Sequence, residues 1–236
     1  MQDIGSLPSN STPFGYWTRF NGTPLYNAAT KSTSVKAADA QKYLELFKDY
    51  RDNGLVPPPD IAANYAETNA DTSALIAGKV AISLLWTNQL GNYQAATKDE
   101  LMFIEFPGAA ATKALWQQPS QFYTVNKDSK HPAEAVKFIN FLVNDPDAAK
   151  ILGSNRGSSA SATARASGAT SPADQKILDY MAVAGPHSTA ETDHVPNDTE
   201  FNSTLFLIYQ KVAFGQATAA QGGKEVYELL QRMIAK

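Results

Sequence analysis

Apolar residues recur every three or four positions along several stretches of the chain, which is the spacing of one face of an α-helix. The helices predicted from this spacing and from their end signals cover 35–53, 71–77, 132–144, 145–153, 171–184, 199–214 and 218–235. Ser34, Asp145 and Ser171 are the predicted N-caps, and Gly54 and Gly153 are the predicted ends. The inward faces of the last two helices are predicted to hold Phe201, Leu205, Ile208, Val212, Val226, Leu229, Leu230 and Met233.

Alternating or continuous apolar runs predict strands at 79–85, 101–106 and 121–126. The aromatic-rich stretch 13–27 contains Asn21-Gly22, which predicts a turn between two short strands. Residues 154–171 and 185–198 contain few apolar residues and are predicted to be loops. Strands in the middle with helices around them indicate an α/β fold. The number of strands is low for 236 residues, so we expect an incomplete sheet.

Composition excludes several functional classes. The net charge of −3 and the mixed charges argue against nucleic-acid binding, which needs a basic face. The chain contains no cysteine, so disulfides, thiol nucleophiles and cysteine zinc sites are excluded. No run of about 20 apolar residues predicts a membrane span, and residues 1–15 do not have the pattern of a signal peptide.

No motif predicts a catalytic, cofactor or metal site. His187 and His194 share a loop with two acidic residues, but their spacing matches no zinc pattern, so a polar loop is the preferred interpretation. The chain has no G-x-S-x-G elbow and no Gly-rich phosphate loop preceded by a strand. Its carboxylates form no pair that glycoside hydrolysis would need. The sequence therefore predicts no enzyme and no cofactor.

The three tryptophans have a shared setting. Trp17, Trp86 and Trp116 stand beside amides or a charge in "YWTR", "WTNQ" and "WQQ". Sugars bind through flat apolar surfaces for their C–H faces and polar side chains for their hydroxyls. The setting is therefore typical of carbohydrate binding, and the alternative is that each tryptophan is an ordinary core residue.

Four segments resemble those of extracellular solute-binding proteins of the sugar-binding class, which serve ABC importers. The segments are "FNGTPLYN…AADAQKYLELFKDYRDNGLVPPPD", "ALIAGKVAISLLWTNQL", "VNKDSKHPAEAVKFINFLVNDPDAAKILGSNRG" and "VAFGQATAAQGGKEVYELLQRMIAK". Their order and spacing cover nearly all of residues 14–236. One departure is "RGSSAS", where family members often have Pro after "R-G".

This resemblance implies a periplasmic-binding-protein-like fold of type II, with two α/β lobes that close on a ligand. It implies that residues 1–115 and 157–236 form the second lobe and that 116–156 form a helical return segment of the first lobe. Most of the first lobe has no counterpart in this sequence, which would account for the low number of strands. The chain is then expected to be either a truncated product or one part of a split protein.

The resemblance also implies which residues face the ligand. The strand that ends at Leu85 delivers Trp86 as a platform, and Asn88 and Gln89 become partners for sugar hydroxyls. Trp17 and Arg19 are placed on the other wall, where Arg19 pairs with a sugar carboxylate or with two hydroxyls. The remaining candidates for the ligand site are Tyr16, Trp116, Gln118 and Glu200.

The leading hypothesis is a substrate-binding component that presents a carbohydrate, most simply an oligosaccharide, to the membrane permease of an ABC importer. The resemblance places such a protein outside the cell or in the periplasm, associated with the membrane through the importer. A second hypothesis is a truncated, non-transporting interaction module, which persists as a homodimer or with a first lobe from another chain. A hydrolase on the same scaffold is the third, and no catalytic residues can be named for it.

Overall fold

The computed structural model describes residues 2–4, 11–65, 69–190 and 193–235. Packing divides the chain into two compact units. Unit 1 comprises Met1–Leu84, Pro107–Trp116 and His187–Lys236, and unit 2 comprises Leu85–Phe106 and Gln117–Pro186. Each unit therefore contains segments that are far apart in sequence. The predicted division into residues 1–115, 116–156 and 157–236 concerns lobes of a larger protein and stays a prediction.

Helices dominate unit 1. They are α1 (Ser11–Phe20), α2 (Ala37–Asp52), α3 (Pro59–Ala62), α5 (Ala109–Thr112), α10 (Asp198–Ala213) and α11 (Ala219–Ile234). Strands β1 (Gln2–Ile4) and β2 (Val80–Ile82) form a parallel pair, in which Gln2 is opposite Val80 and Ile4 opposite Ile82. Only the first half of the strand predicted at 79–85 is confirmed, because the parallel pairing covers the three residues of β2.

The core of unit 1 lies among α1, α2, α10 and α11. All eight apolar residues that the sequence predicts to face inward on the last two helices are buried, so this prediction is confirmed. Four aromatic rings meet at the centre. Tyr43 lies 5.1 Å from Phe14, 5.6 Å from Trp17 and 5.8 Å from Tyr209, measured between ring centroids.

The hairpin predicted within residues 13–27 is wrong, because most of this stretch forms α1. Phe14 and Trp17 are one helical turn apart and pack on Tyr43, and this tertiary contact outweighs the β-propensity of aromatic residues. The Asn21-Gly22 signal marks the end of the helix instead. Gly22 has φ +74°, Thr23 N donates to Thr18 O and Gly22 N donates to Arg19 O, which is the Schellman pattern.

The start of α2 differs from the prediction by two residues. Ser34 is not its N-cap, since the helix begins after Lys36, whose backbone N–H donates to Asp39 Oδ2 at 2.8 Å. A carboxylate in the first turn thus satisfies a backbone donor at the helix entry. The short helix predicted at 71–77 is reduced to a 3₁₀ turn, Ala70–Thr72.

Unit 2 is built from short helices and extended chain. The helices are α4 (Leu90–Ala95), α6 (Pro132–Asn144), α7 (Pro146–Leu152), α8 (Ala162–Gly168) and α9 (Pro172–Ala184). The predicted corner between α6 and α7 is confirmed, because Asp145 Oδ1 accepts from Asp147 N and Ala148 N. Ser171 caps α9 as predicted. Strand β3 (Trp116–Gln117) lies where the chain passes from unit 1 to unit 2, and strand β4 (Thr189–Ala190) belongs to unit 1. Within unit 1, Thr189 N donates to Leu115 O at 2.9 Å.

Two strand predictions in unit 2 are wrong. Residues 101–106 and 121–126 have no strand assignment, although both are rich in apolar residues. A strand needs a neighbouring strand to complete its hydrogen bonds, and the described residues provide none for these segments. The loop predicted at 154–171 is also partly wrong, because Ser161 caps the short helix α8.

No helix in the described part of the chain has the length and apolar character needed to cross a membrane.

Gly223 allows α11 to approach α2 closely, which leads to a prediction about stability. A Cβ atom at Gly223 would lie 2.6 Å from Ala37 O and 2.7 Å from Gln41 N, both backbone atoms of α2. We expect Gly223→Ala to lower the free energy of unfolding by about 1–3 kcal/mol, although alanine is the better helix former. Urea unfolding followed by circular dichroism measures the change.

The matched control for Gly223→Ala is Gly15→Ala, in α1. A Cβ atom at Gly15 meets nothing within 4 Å, so the same substitution should raise the free energy of unfolding by about 0.5–1 kcal/mol. If both variants shifted stability in the same direction, the close approach of α11 to α2 would not be the cause.

Candidate functional site

The residues predicted to bind a ligand are distributed over both units. Unit 1 contains Tyr16, Trp17, Arg19, Trp116 and Glu200. Unit 2 contains Trp86, Asn88, Gln89 and Gln118. The structure brings candidates into contact within each of these groups.

Arg19 is the organising side chain of the first group. It lies in the last turn of α1, and its Nε donates to Ala114 O at 2.8 Å. Its Nη2 donates to Lys113 O at 3.1 Å and to Thr189 Oγ1 at 2.6 Å. The guanidinium carbon lies 5.6 Å from the centre of the Trp116 ring, which is a cation–π distance. One side chain thus ties the segment 113–116 to the start of β4.

These contacts limit what Arg19 can offer a ligand. Three of its five N–H groups already donate to protein oxygens. They include those of Nε and Nη2, the pair with which an arginine would bind a carboxylate side-on. Partial burial lowers the pKa of Arg19 from its ordinary value, but a guanidinium keeps its charge at neutral pH. The geometry therefore favours a positioning role, in which Arg19 holds Trp116, over a direct grip on a sugar acid.

Trp17 is engaged with the core. Its ring stacks with Phe14 at 6.4 Å and lies 5.6 Å from Tyr43. The interpretation as an ordinary core aromatic accounts for these contacts, so a ligand role for Trp17 stays a prediction. Tyr16 packs near Phe20 at 6.2 Å, and Glu200 is exposed in the first turn of α10. Their ligand roles also stay predictions.

Trp86 has a different environment. It is 41% exposed, whereas Trp17 and Trp116 are half-buried. Its backbone N–H donates to Gln89 Oε1 at 2.8 Å, across the 3₁₀ turn Thr87–Gln89. Gln89, expected to meet sugar hydroxyls, therefore uses its carbonyl oxygen to fix the backbone of Trp86. Asn88 is half-buried on the same turn, and Gln118 is exposed.

A cavity in unit 2 was not predicted from the sequence. It has a volume of about 240 Å³, and its lining includes Asn92, Lys150, Ser154 and Asp174. Asp174 is 8% exposed and accepts hydrogen bonds from Ser154 N at 3.0 Å, Ser171 Oγ at 2.6 Å and Ser171 N at 3.0 Å. The sequence signal at Asp174 is the S-x-x-D capping box at 171–174. It predicts a helix start but does not predict that the carboxylate is buried.

The carboxylate of Asp174 acts within the protein. Burial alone would raise the pKa of Asp174, but the hydrogen bonds from Ser154 and Ser171 outweigh it and the pKa is lowered. Asp174 therefore remains ionised and clamps the end of α7 to the start of α9. Within the ranges that the structure describes, no three His, Asp or Glu side chains cluster as potential metal ligands.

The sequence matches the family model described as bacterial extracellular solute-binding protein over residues 5–182. Solved structures with the same fold support this match. An extracellular solute-binding protein of family 1 from Alicyclobacillus acidocaldarius is 26% identical, with a TM-score of 0.81. The match covers 100% of this chain and 60% of that one.

Two further structures have the same fold. A periplasmic oligogalacturonide-binding protein from Yersinia enterocolitica, in complex with saturated digalacturonic acid, is 24% identical with a TM-score of 0.78. It is matched over 61% of its length and 99% of this chain. A de novo designed cysteine esterase is 26% identical with a TM-score of 0.72, over 60% of its length and 98% of this chain. The expected α/β fold of the periplasmic-binding-protein type is confirmed, and the chain spans about 60% of the length of these structures.

The network around Arg19 predicts that lysine cannot replace this arginine. Arg19→Lys keeps the charge but removes the planar fork that reaches Lys113, Ala114 and Thr189. We expect the free energy of unfolding to fall by about 1–3 kcal/mol in chemical denaturation. Arg232→Lys, at an exposed position of α11, should change it by less than about 0.5 kcal/mol. Equal effects of the two substitutions would contradict the structural role of the fork.

The clamp at Asp174 predicts a pH-dependent stability. The lowered pKa means that the ionised carboxylate stabilises the fold above its unfolded pKa of about 3.9, and that this contribution is lost as the pH falls through the folded pKa. Asp174→Asn should therefore cost about 1–3 kcal/mol at pH 7 and progressively less below about pH 4.

Urea titrations of wild type and Asp174→Asn at pH 7, 4 and 3 measure this dependence. Asp179→Asn, at an exposed position of the same helix, is the control. A difference between wild type and Asp174→Asn that stayed constant from pH 7 to pH 3 would refute the electrostatic clamp.

Proposed function

We propose that this chain, which belongs to the bacterial extracellular solute-binding proteins, binds a carbohydrate for import by an ABC transporter. Binding is its function in this proposal, and no bond of the ligand is broken. The esterase activity named for one matched structure is a designed one and gives no support for an enzyme here.

The observation that carries the proposal is the exposed indole of Trp86 on a fixed turn. The hydrogen bond from Trp86 N to Gln89 Oε1 holds the backbone at this position, so the chain loses little backbone freedom here on binding. Asn88 lies on the same turn and offers both a donor and an acceptor. A flat apolar ring beside an amide suits a pyranose face and its hydroxyls.

Trp116 is the second proposed contact, in unit 1. Its ring is positioned by Arg19, whose guanidinium lies at cation–π distance and places a positive charge beside the apolar ring. We propose that Arg19 acts through Trp116, and that Tyr16, Trp17, Gln89, Gln118 and Glu200 are secondary candidates. Each group is proposed on its own geometry.

The ligand class we propose is an oligosaccharide. A relative of the same fold from Yersinia enterocolitica holds saturated digalacturonic acid, which makes acidic sugars natural first probes. In this chain the Arg19 fork is largely occupied, so a neutral oligosaccharide is an equally useful probe. We further propose that the protein acts outside the cell or in the periplasm, together with the permease subunits of the importer.

A second candidate function is an interaction module that does not transport. It is favoured by the exposure of large apolar side chains in unit 2, which holds ten of the sixteen such residues among those described. Light scattering separates the two functions. A monodisperse monomer that binds oligosaccharide supports the importer component, whereas a stable self-associated form without affinity for sugar supports the module.

Calorimetric titration of the chain with digalacturonic acid and with a neutral trisaccharide tests the proposed site. We expect Trp86→Ala to weaken binding of whichever sugar binds by about tenfold or more, which corresponds to about 1.4 kcal/mol. The reason is the loss of the stacking surface.

The matched control is Phe214→Ala, at an aromatic residue in unit 1 that is 46% exposed. It should leave the dissociation constant unchanged. Equal affinities of wild type and Trp86→Ala would exclude Trp86 from the site, and no heat with any oligosaccharide would contradict the proposed function.

A further inference from the structure

We propose that Thr189 is a specificity-determining residue of the candidate group around Arg19, and that it favours neutral saccharides over uronic acids by occupying the arginine. This role rests on the proposed function, because it decides which carbohydrate the chain accepts. The contacts that support it lie within unit 1, which contains Arg19, residues 107–116 and Thr189.

The side-on edge of Arg19 is closed by the backbone. Nε donates to Ala114 O at 2.8 Å, and Nη2 donates to Lys113 O at 3.1 Å. Lys113 has φ +51°, a left-handed conformation that is uncommon outside glycine. This turn places two consecutive carbonyl oxygens against one guanidinium. A ligand carboxylate therefore cannot take the N–H groups of Nε and Nη2 together.

The end-on edge of Arg19 is the pair formed by Nη1 and Nη2, and Thr189 closes it. Nη2 has two N–H groups, and besides its bond to Lys113 O it donates to Thr189 Oγ1 at 2.6 Å. Nη1 has no hydrogen-bond partner among the residues that the structure describes. Without the threonine hydroxyl, Nη1 and Nη2 would offer a carboxylate a second fork.

The hydroxyl of Thr189 is held in this position from its other side. The backbone N–H of Thr189 donates to Leu115 O at 2.9 Å. Its Oγ1 donates to Ala190 O at 3.1 Å, with Leu115 O as a further acceptor at 3.4 Å. Since the single hydroxyl hydrogen is used there, Oγ1 meets Arg19 as an acceptor, and its own donation strengthens that bond. Thr189 thus competes directly with a ligand oxygen for Nη2.

A guanidinium closed on both edges changes which ligand this group favours. Its charge remains, but charge attraction without shared hydrogen bonds is weak at a protein surface and is screened by salt. Nη1 still offers a donor to a single hydroxyl beside the ring of Trp116, whose centre lies 5.6 Å from the guanidinium carbon. A uronic acid would have to leave water without a bidentate partner for its carboxylate, whereas a neutral sugar has no such cost.

Calorimetric titration with a neutral trisaccharide and with digalacturonic acid tests this role. Wild type should bind the trisaccharide more tightly, and the reverse order would overturn the preference. Thr189→Ala frees Nη2 and leaves space beside it, so the ratio of the two affinities should move toward digalacturonic acid by about tenfold. Thr189→Ser keeps the hydroxyl and should keep the wild-type ratio.

The matched control is Thr199→Ala, at an exposed threonine in the first turn of α10. It should leave the ratio of the two affinities unchanged. The same ratio in wild type and Thr189→Ala would overturn the specificity role, and so would a Thr189→Ser variant that behaved like Thr189→Ala.

A second measurement separates this role from the proposed function. Acetate is titrated at constant ionic strength into chains labelled with 5-fluorotryptophan, and the signal of Trp116, beside Arg19, is followed. Thr189→Ala should give a saturable shift, whereas wild type and Thr189→Ser should not. A saturable shift in wild type, or none in Thr189→Ala, would overturn the closure of the arginine. If the closure holds and no variant binds either sugar, the carbohydrate function fails, and the selection among sugars fails with it.

Discussion

Unit 1 depends on the close packing of α11 on α2. Gly223 lets the backbone of α2 approach to within a distance that a Cβ atom would block, and Gly222 leaves room for the side chains of Leu44 and Val212. This approach brings Val226, Leu229 and Leu230 against the aromatic cluster around Tyr43. Burial raises the pKa of both Tyr43 and Tyr209 well above the ordinary value, so both phenols are neutral in the core. The same cluster holds α1, and through α1 it sets the position of Arg19.

The group of candidate residues around Arg19 inherits its geometry from this framework. Arg19 is fixed at the end of α1, where it orders residues 113–116 and the ring of Trp116. In unit 2, the hydrogen bond from Trp86 N to Gln89 Oε1 holds the backbone of the exposed tryptophan. Both arrangements use a polar side chain to hold the backbone or the ring of a tryptophan. Such preorganisation reduces the entropy lost when a ligand binds.

The sequence predicted the helices of both units well because their signals are local. Asp145 and Ser171 define helix starts by accepting hydrogen bonds from backbone N–H groups of the first turn, and Pro132 does so by its fixed φ at the first helical position. None of these signals needs a distant partner. It failed at α1, where Phe14 and Trp17 become helical through contact with Tyr43, a residue far away in sequence. It also failed at 101–106, where the apolar pattern of a strand is present but the described residues supply no neighbouring strand.

The site was predictable in part, for the same reason. The aromatic and amide residues of 86–89 are adjacent in sequence, so their association was visible. The contact between Arg19 and Trp116 joins residues 97 positions apart, and only the fold reveals that the arginine is largely used by the protein. The burial of Asp174 was likewise invisible, since the capping box alone does not distinguish an exposed carboxylate from a buried one.

Fluorine NMR of the chain labelled with 5-fluorotryptophan tests the central claim most directly, because the chain has three tryptophans and each gives one assignable signal. Addition of a binding oligosaccharide is predicted to shift the signal of Trp86 and to leave that of Trp17, packed against Phe14 and Tyr43, in place. A Trp86 signal that stays unchanged at saturating sugar would contradict the account.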